Sequence, residues 1–119
     1  MYLSGHVSRM NGKVSRGIVG DNIDAPAGAA LARSIALDLL ASAAATLGSV
    51  DQVLGVVRLT GYVRSAPGFG DQPAVINGAS DLLVELLGDA GQHARSAVGV
   101  TELPLGAAVE IEAIFEVGD

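Results

Sequence analysis

Between Tyr2 and Ser8 the residue types read as a strand. The Asn11-Gly12 pair, two residues that accept positive φ, predicts a tight hairpin returning through Lys13 to Val19. A polar connector, Gly20 to Asp24, follows. Asp24 can then cap a helix whose first turn holds Pro26. From Ala27 to Leu47, Leu31, Ile35, Leu39, Ala43 and Leu47 recur every four positions, with Ala32, Ala36 and Leu40 on the same side. Gly48 supplies the left-handed stop.

Gln52 to Ser65 predicts one long strand, with Val53, Val57, Leu59 and Val63 on one face and Leu54, Val56, Arg58, Thr60, Tyr62 and Arg64 on the other. After the turn cluster Ala66 to Gly70, Asp71 and Pro73 open a second helix. Its apolar stripe is Val75, Ile76, Ala79, Leu82, Leu83, Leu86 and Leu87, with Asn77, Ser80, Asp81 and Glu85 turned away and Gly88 as the stop. Two further strand runs, Arg95 to Leu103 and Ala107 to Val117, are joined through Leu103-Pro104-Leu105-Gly106. The order ββαβαββ predicts one α+β domain over residues 1–119, with both helices on one face of a mixed sheet.

Composition narrows the chemistry. Half of the residues are hydrophobic and aromatics are only 3%, so the core must be built from small and aliphatic side chains. With no cysteine, disulfides, thiolate catalysis and cysteine-based metal sites drop out. The net charge of −6 is the wrong sign for wrapping a phosphate backbone, so nucleic acid is not the expected partner. No run of about 18 uninterrupted apolar residues and no leader pattern is present, and the expected location is the cytoplasm.

The most pointed chemical combination is His93-Ala94-Arg95-Ser96 leading a strand, with Glu110-Ile111-Glu112 on the last strand. Arginine grips a carboxylate with two parallel charge-assisted hydrogen bonds, and a nearby glutamate can orient or deprotonate a water. On spacing alone, solvated sheet charges pairing with one another are the more ordinary reading. If the last two strands form a simple hairpin, Arg95 lies opposite Phe115. Glu110 is then five residues away, about 16 Å, and Arg95 and Glu110 could share a ligand only through a bulge, another strand order or a subunit boundary. His6 and His93 are further candidates, but two separated histidines more often make ordinary hydrogen bonds than bind metal, and no metal site is expected.

The block Ala94-Arg95-Ser96-Ala97-Val98-Gly99-Val100, then Leu103-Pro104, then Val109-Glu110-Ile111-Glu112-Ala113, resembles the C-terminal hallmark of the YjgF/RidA family. Leu3-Ser4-Gly5, Gly61-Tyr62-Val63, Phe69 and Asn77 fit the same pattern in the same order. Pro73 to Asp81 together with His93-Ala94-Arg95 looks like a less characterised branch.

The resemblance implies a chorismate-mutase-like α+β fold, a homotrimer with ligand clefts between subunits, and hydrolysis of small 2-imino acids or enamines to 2-keto acids and ammonia without a cofactor. By the same analogy Arg95 holds the substrate carboxylate, Glu110 positions the attacking water, Ser4 and Gly5 line the pocket, and Asn77 reaches in from a neighbouring subunit. The alternative is a non-catalytic module of the same fold that binds a small carboxylate. A ribonuclease or translation-inhibitor role has also been attached to relatives. Two departures stand out. His6 and His93 replace the family's common Gln and Pro. The chain also starts inside the Ser-Gly strand, where relatives have a further segment bearing an aromatic residue over the site, so either that segment is absent or the pocket is more open.

Strand parity places Leu54, Val56, Thr60, Tyr62 and Ile114 on the sheet face away from the helices. Such an apolar strip is more than a small monomer usually exposes, and a ring of three subunits would cover it.

Overall fold

In the computed structural model, which describes residues 1–118, the elements are β1 (Tyr2–Val7), β2 (Arg9–Met10), β3 (Lys13–Val14), α1 (Ala25–Leu47), β4 (Val53–Arg64), α2 (Gln72–Leu87), β5 (Ala94–Val100) and β6 (Val109–Val117). Asp24 caps α1 by accepting a hydrogen bond from the Ala27 amide at 2.9 Å, and Gly48 ends the helix at φ 92°. The buried stripe of α1 is Gly28, Leu31, Ala32, Ile35, Ala36, Leu39, Leu40 and Ala43, as its four-residue spacing requires. This helix has the length and mean hydropathy to cross a membrane, but that stripe is core against the sheet and α2, and Arg33 and Ser34 are exposed on its other side.

In α2 the buried residues are Val75, Ile76, Ala79, Leu82 and Leu83, with Leu87 partly buried against the core, whereas Leu86 is 57% exposed. Asp71 occupies the cap position without a capping bond; the side chain of Gln72 instead donates from Nε2 to the Phe69 carbonyl at 2.8 Å. The two helices approach closely because Gly78 has no Cβ, which leaves room for the carbonyl of Ala29.

Four strands form the sheet in the order β1-β6-β4-β5, with β6 antiparallel to both β1 and β4, and β5 parallel to β4. Both helices pack on one face, giving the α+β architecture expected. Two pairings differ from the sequence reading. Asn11 and Gly12 do make the positive-φ turn, at 54° and 77°, but the hairpin closes only Arg9–Met10 against Lys13–Val14. Ser8 is fully buried. Its hydroxyl donates to the Ser15 carbonyl and accepts from the Val109 amide, and its own amide donates to the Val109 carbonyl at 2.8 Å, so that Ser8 joins the small hairpin to β6, the strand with which β1 pairs.

The second difference concerns β5 and β6, which are not a hairpin. The stretch Pro104–Gly106 carries left-handed residues, Leu105 at φ 62° and Gly106 at φ 73°, and takes the chain to the far side of β4. Parallel β5 follows α2 as a crossover strand, so β4 separates it from β6.

A third correction lies within β4. Register shifts between Val53 and Gly55 and between Val56 and Arg58 interrupt its alternation, so that Val56 and Val57 exchange faces while Val53 and Leu54 keep theirs. Val56, opposite Phe115, is 6% exposed in the core, while Val57 is 52% exposed on the open face. Beyond the shifts the alternation holds. Leu59, Gly61 and Val63 turn toward the helices, and Arg58, Thr60, Tyr62 and Arg64 toward the open face.

Candidate functional site

Register places each candidate residue on a face. Leu3 is level with Ala113, Ala113 with Leu59, and Leu59 with Arg95, so one row crosses the whole sheet on its helix side. Arg95 ends that row at the β5 edge, level with Ala113 and not with Phe115. Glu110 and Glu112 alternate with the core residues of β6 and so lie on the open face, level with Tyr62 and Thr60. Within one protomer Arg95 and Glu110 are therefore separated by the width of β4, by three residues along the strand direction and by the sheet itself. Neither do they pair as surface charges, because Arg95 is engaged elsewhere.

Arg95 reaches toward α2. Its Nη1 donates to Asn77 Oδ1 at 2.6 Å and to Ser80 Oγ at 3.3 Å. Ser80 Oγ lies 2.9 Å from His93 Nε2, and His93 Nδ1 lies 2.6 Å from the Gly91 carbonyl. A carbonyl can only accept, so Nδ1 carries the proton. In the neutral ring Nε2 then accepts from the Ser80 hydroxyl, which leaves the Ser80 lone pairs for Arg95. Both Nη1 hydrogens are thus occupied. Among the described residues, Nε and Nη2 of Arg95 have no protein partner. Asn77, Ser80 and Val84 stand at helical spacings of three and four on the side of α2 facing β5, and Ser80 and Val84 border a shallow pocket with Gln92, His93 and Arg95. Ser80 is therefore not turned away from the fold as the stripe suggested. The spacing of three from Asn77 was the signal that could have paired the two.

At the other edge, β1 is irregular between Leu3 and His6, where Ser4 and Gly5 are exposed. A Cβ on Gly5 would collide with the carboxylate of Glu110. Glycine there lets Glu110 lean from β6 across β1 to the sheet edge. His6 repeats the pattern of His93: its Nδ1 faces the Ser4 carbonyl at 2.8 Å and its Nε2 lies 2.9 Å from Ser42 Oγ of α1. Each histidine ties an edge strand to the helix behind it.

On the open face Tyr62 donates to Glu112 at 2.9 Å, and Arg58 donates to Ser96 at 2.7 Å. The hydrogen bond to Glu112 is the main cause holding the Tyr62 phenol above its ordinary pKa. Desolvation and the charges of Glu112 and Glu110 add to it, and Arg58 opposes it. Among the described residues no three of His, Asp or Glu converge in a metal-binding group.

The chain is 40% identical to Protein TCP17 of Trypanosoma cruzi, an alignment that takes in all of this chain and 76% of the relative. A crystal structure of a protein of unknown function from Agrobacterium tumefaciens is 41% identical with a TM-score of 0.94, over 98% of this chain and 75% of that one. A candidate endoribonuclease from Shewanella oneidensis is 27% identical with a TM-score of 0.90, over 96% and 76%. Residues 1–117 match the family described as endoribonuclease L-PSP, a span that takes in Ser4, Gly5, Asn77, Arg95 and Glu110 alike, and the chain belongs to that family, the YjgF/RidA family.

Proposed function

We propose that the protein is a cytoplasmic, homotrimeric imine or enamine deaminase that hydrolyses small 2-imino acids to 2-keto acids and ammonia at clefts between subunits. The observation that carries the reading is the placement of two half-sites at opposite edges of one sheet. Arg95 ends the β5 edge with Nε and Nη2 unpaired, and Glu110 lies over Gly5 at the β1 edge. One protomer cannot bring them to one ligand. A heterologous contact of the β5 edge of one copy with the β1 edge of the next would do so, and such a contact closes into a ring.

In that cleft Arg95 binds the substrate carboxylate. Glu110 takes a proton from a water whose oxygen bonds to C2 as the C=N π bond breaks, and returns that proton to the imine nitrogen to give a carbinolamine. Breaking the C–N bond then leaves the 2-keto acid and ammonia, so that C=N plus water becomes C=O plus NH3. Ser4, Gly5 and Asn77 line the cleft, and His6 and His93 hold its two edge strands. No step calls for a cofactor or metal.

The endoribonuclease description belongs to relatives. Here the net charge is −6, aromatics are 3%, and Arg33 and Arg64 are already paired with Glu85 and Glu102, which favours a small acid over an RNA strand. A non-catalytic carboxylate-binding module needs Arg95 but not Glu110. Steady-state hydrolysis of 2-iminopropionate and pyruvate binding, measured on wild type, Arg95→Ala and Glu110→Gln, separate the two. The deaminase loses about a hundredfold in turnover in Glu110→Gln while keeping pyruvate affinity, and Arg95→Ala weakens both. Wild-type hydrolysis in Arg95→Ala would refute the reading.

A further inference from the structure

Arg95 presents an asymmetric guanidinium. Its Nη1 edge is turned onto α2 and held by Asn77 and Ser80, while its Nε and Nη2 have no hydrogen-bond partner among the described residues. Ser80 is itself held. Its hydroxyl lies 2.9 Å from His93 Nε2, and that ring is fixed by the 2.6 Å contact of its other nitrogen with the Gly91 carbonyl. The chain Gly91 carbonyl, His93, Ser80, Arg95 runs from the end of α2 to the guanidinium, and each link fixes the donor direction of the next.

We infer that Ser80 and His93 are positioning residues that lock Arg95 so that it receives a carboxylate side-on, through Nε and Nη2, and not end-on through its two terminal nitrogens. The inference rests on the reading that Arg95 binds a substrate carboxylate, and adds to it the bound geometry and the residues that set it. Side-on binding follows from what is left free. An end-on carboxylate needs one hydrogen from Nη1, and both are taken. A hydroxyl acceptor held by an imidazole also keeps the arginine from sweeping through its rotamers, so the fork is formed before ligand arrives.

The test uses the assembled full-length protein with pyruvate as probe. In 1H–15N spectra the Arg95 Nε–H signal, identified as the one missing from Arg95→Ala, is expected to move downfield and saturate as pyruvate is added. With 2-iminopropionate, Ser80→Ala is expected to raise KM about tenfold while kcat stays within about twofold, and Ser80→Thr, which keeps the hydroxyl, to return KM toward wild type. His93→Phe, which fills the space without accepting a hydrogen bond, should reproduce the Ser80→Ala effect. An unmoved Nε–H signal in wild type, where pyruvate binding is nevertheless lost in Arg95→Ala, overturns side-on binding even if Ser80 variants fold poorly. A wild-type KM in Ser80→Ala overturns the positioning role. Unchanged pyruvate binding in Arg95→Ala is a different result, and would refute the carboxylate reading beneath the inference.

Discussion

Tyr62 stands level with Glu110 across the β4–β6 pair but gives its hydrogen bond diagonally, to Glu112, at 2.9 Å. The bond needs the phenol protonated, and so the folded state holds that proton more tightly than the unfolded chain does. The stabilisation is therefore complete below the ordinary tyrosine pKa of about 10 and fades as pH rises through the higher folded value. Tyr62→Phe is expected to cost about 1 kcal/mol at pH 8, and the gap from wild type should narrow above about pH 10. Thermal melts of the two proteins across that range measure it; a gap that widened with pH would contradict the assignment.

Gly5 is required for space, with Glu110 lying where a side chain would go. Its surroundings are exposed strand edge, so Gly5→Ala should leave the melting temperature within a few degrees of wild type while displacing the carboxylate. Turnover of 2-iminopropionate is expected to fall about ten- to a hundredfold. Full activity in a folded Gly5→Ala protein would mean that the lean of Glu110 across β1 plays no part in the reaction.

The helices were readable because their signals are local. Asp24, Gly48 and Gly88 sit at the termini they mark, and the apolar stripes repeat at helical spacing. Strand partnership is not local. Nothing in Leu103 to Gly106 shows that the chain will cross β4 instead of turning back, and a bulge leaves no residue-type mark, so Val56 and Val57 exchange faces without warning. The site shares this division. Arg95, Glu110 and Asn77 could be named from motif resemblance, but that Arg95 and Glu110 occupy opposite faces, and that Ser80 supports Arg95, depends on strand order.

Gly78 marks the closest approach of α1 and α2. A Cβ there would run into the backbone of Ala29, which cannot swing aside as a flexible side chain can. Gly78→Ala is expected to destabilise the fold by about 2–3 kcal/mol despite the better helix propensity of alanine. Gly68 is the comparison. Its φ is +83° with open space around it, so Gly68→Ala should cost only about 1 kcal/mol of backbone strain. Urea unfolding of the two variants tests the contrast, and equal losses would show that the helix crossing relaxes.

The open sheet face carries Leu54, Val57 and Val98 at 49%, 52% and 43% exposure, beside half-buried Tyr62 and Ile114. Val57 takes the place there that parity had given to Val56, so the apolar strip survives the bulge. Water contact on this strip is unfavourable at about 25 cal/mol per Å2, and the charged groups among it already have hydrogen-bond partners within the chain, Arg58 in Ser96 and Glu112 in Tyr62. Covering it with copies of itself would also join the β1 and β5 edges that hold the two half-sites. The expected mass in solution is about 36 kDa, three times 11.9 kDa. Val98→Asp would bury an unpaired carboxylate at that contact, at a cost of several kcal/mol, and should shift the mass toward a single chain. Because Tyr62 stands between Val98 and Glu110 in their shared row, and Arg95 lies three residues back along β5 on the other face, deaminase activity should fall in step with the loss of the assembly and not independently of it. Light scattering combined with activity across a dilution series reads both, and a wild-type protein that is monomeric at micromolar concentration yet fully active would rule out the shared cleft.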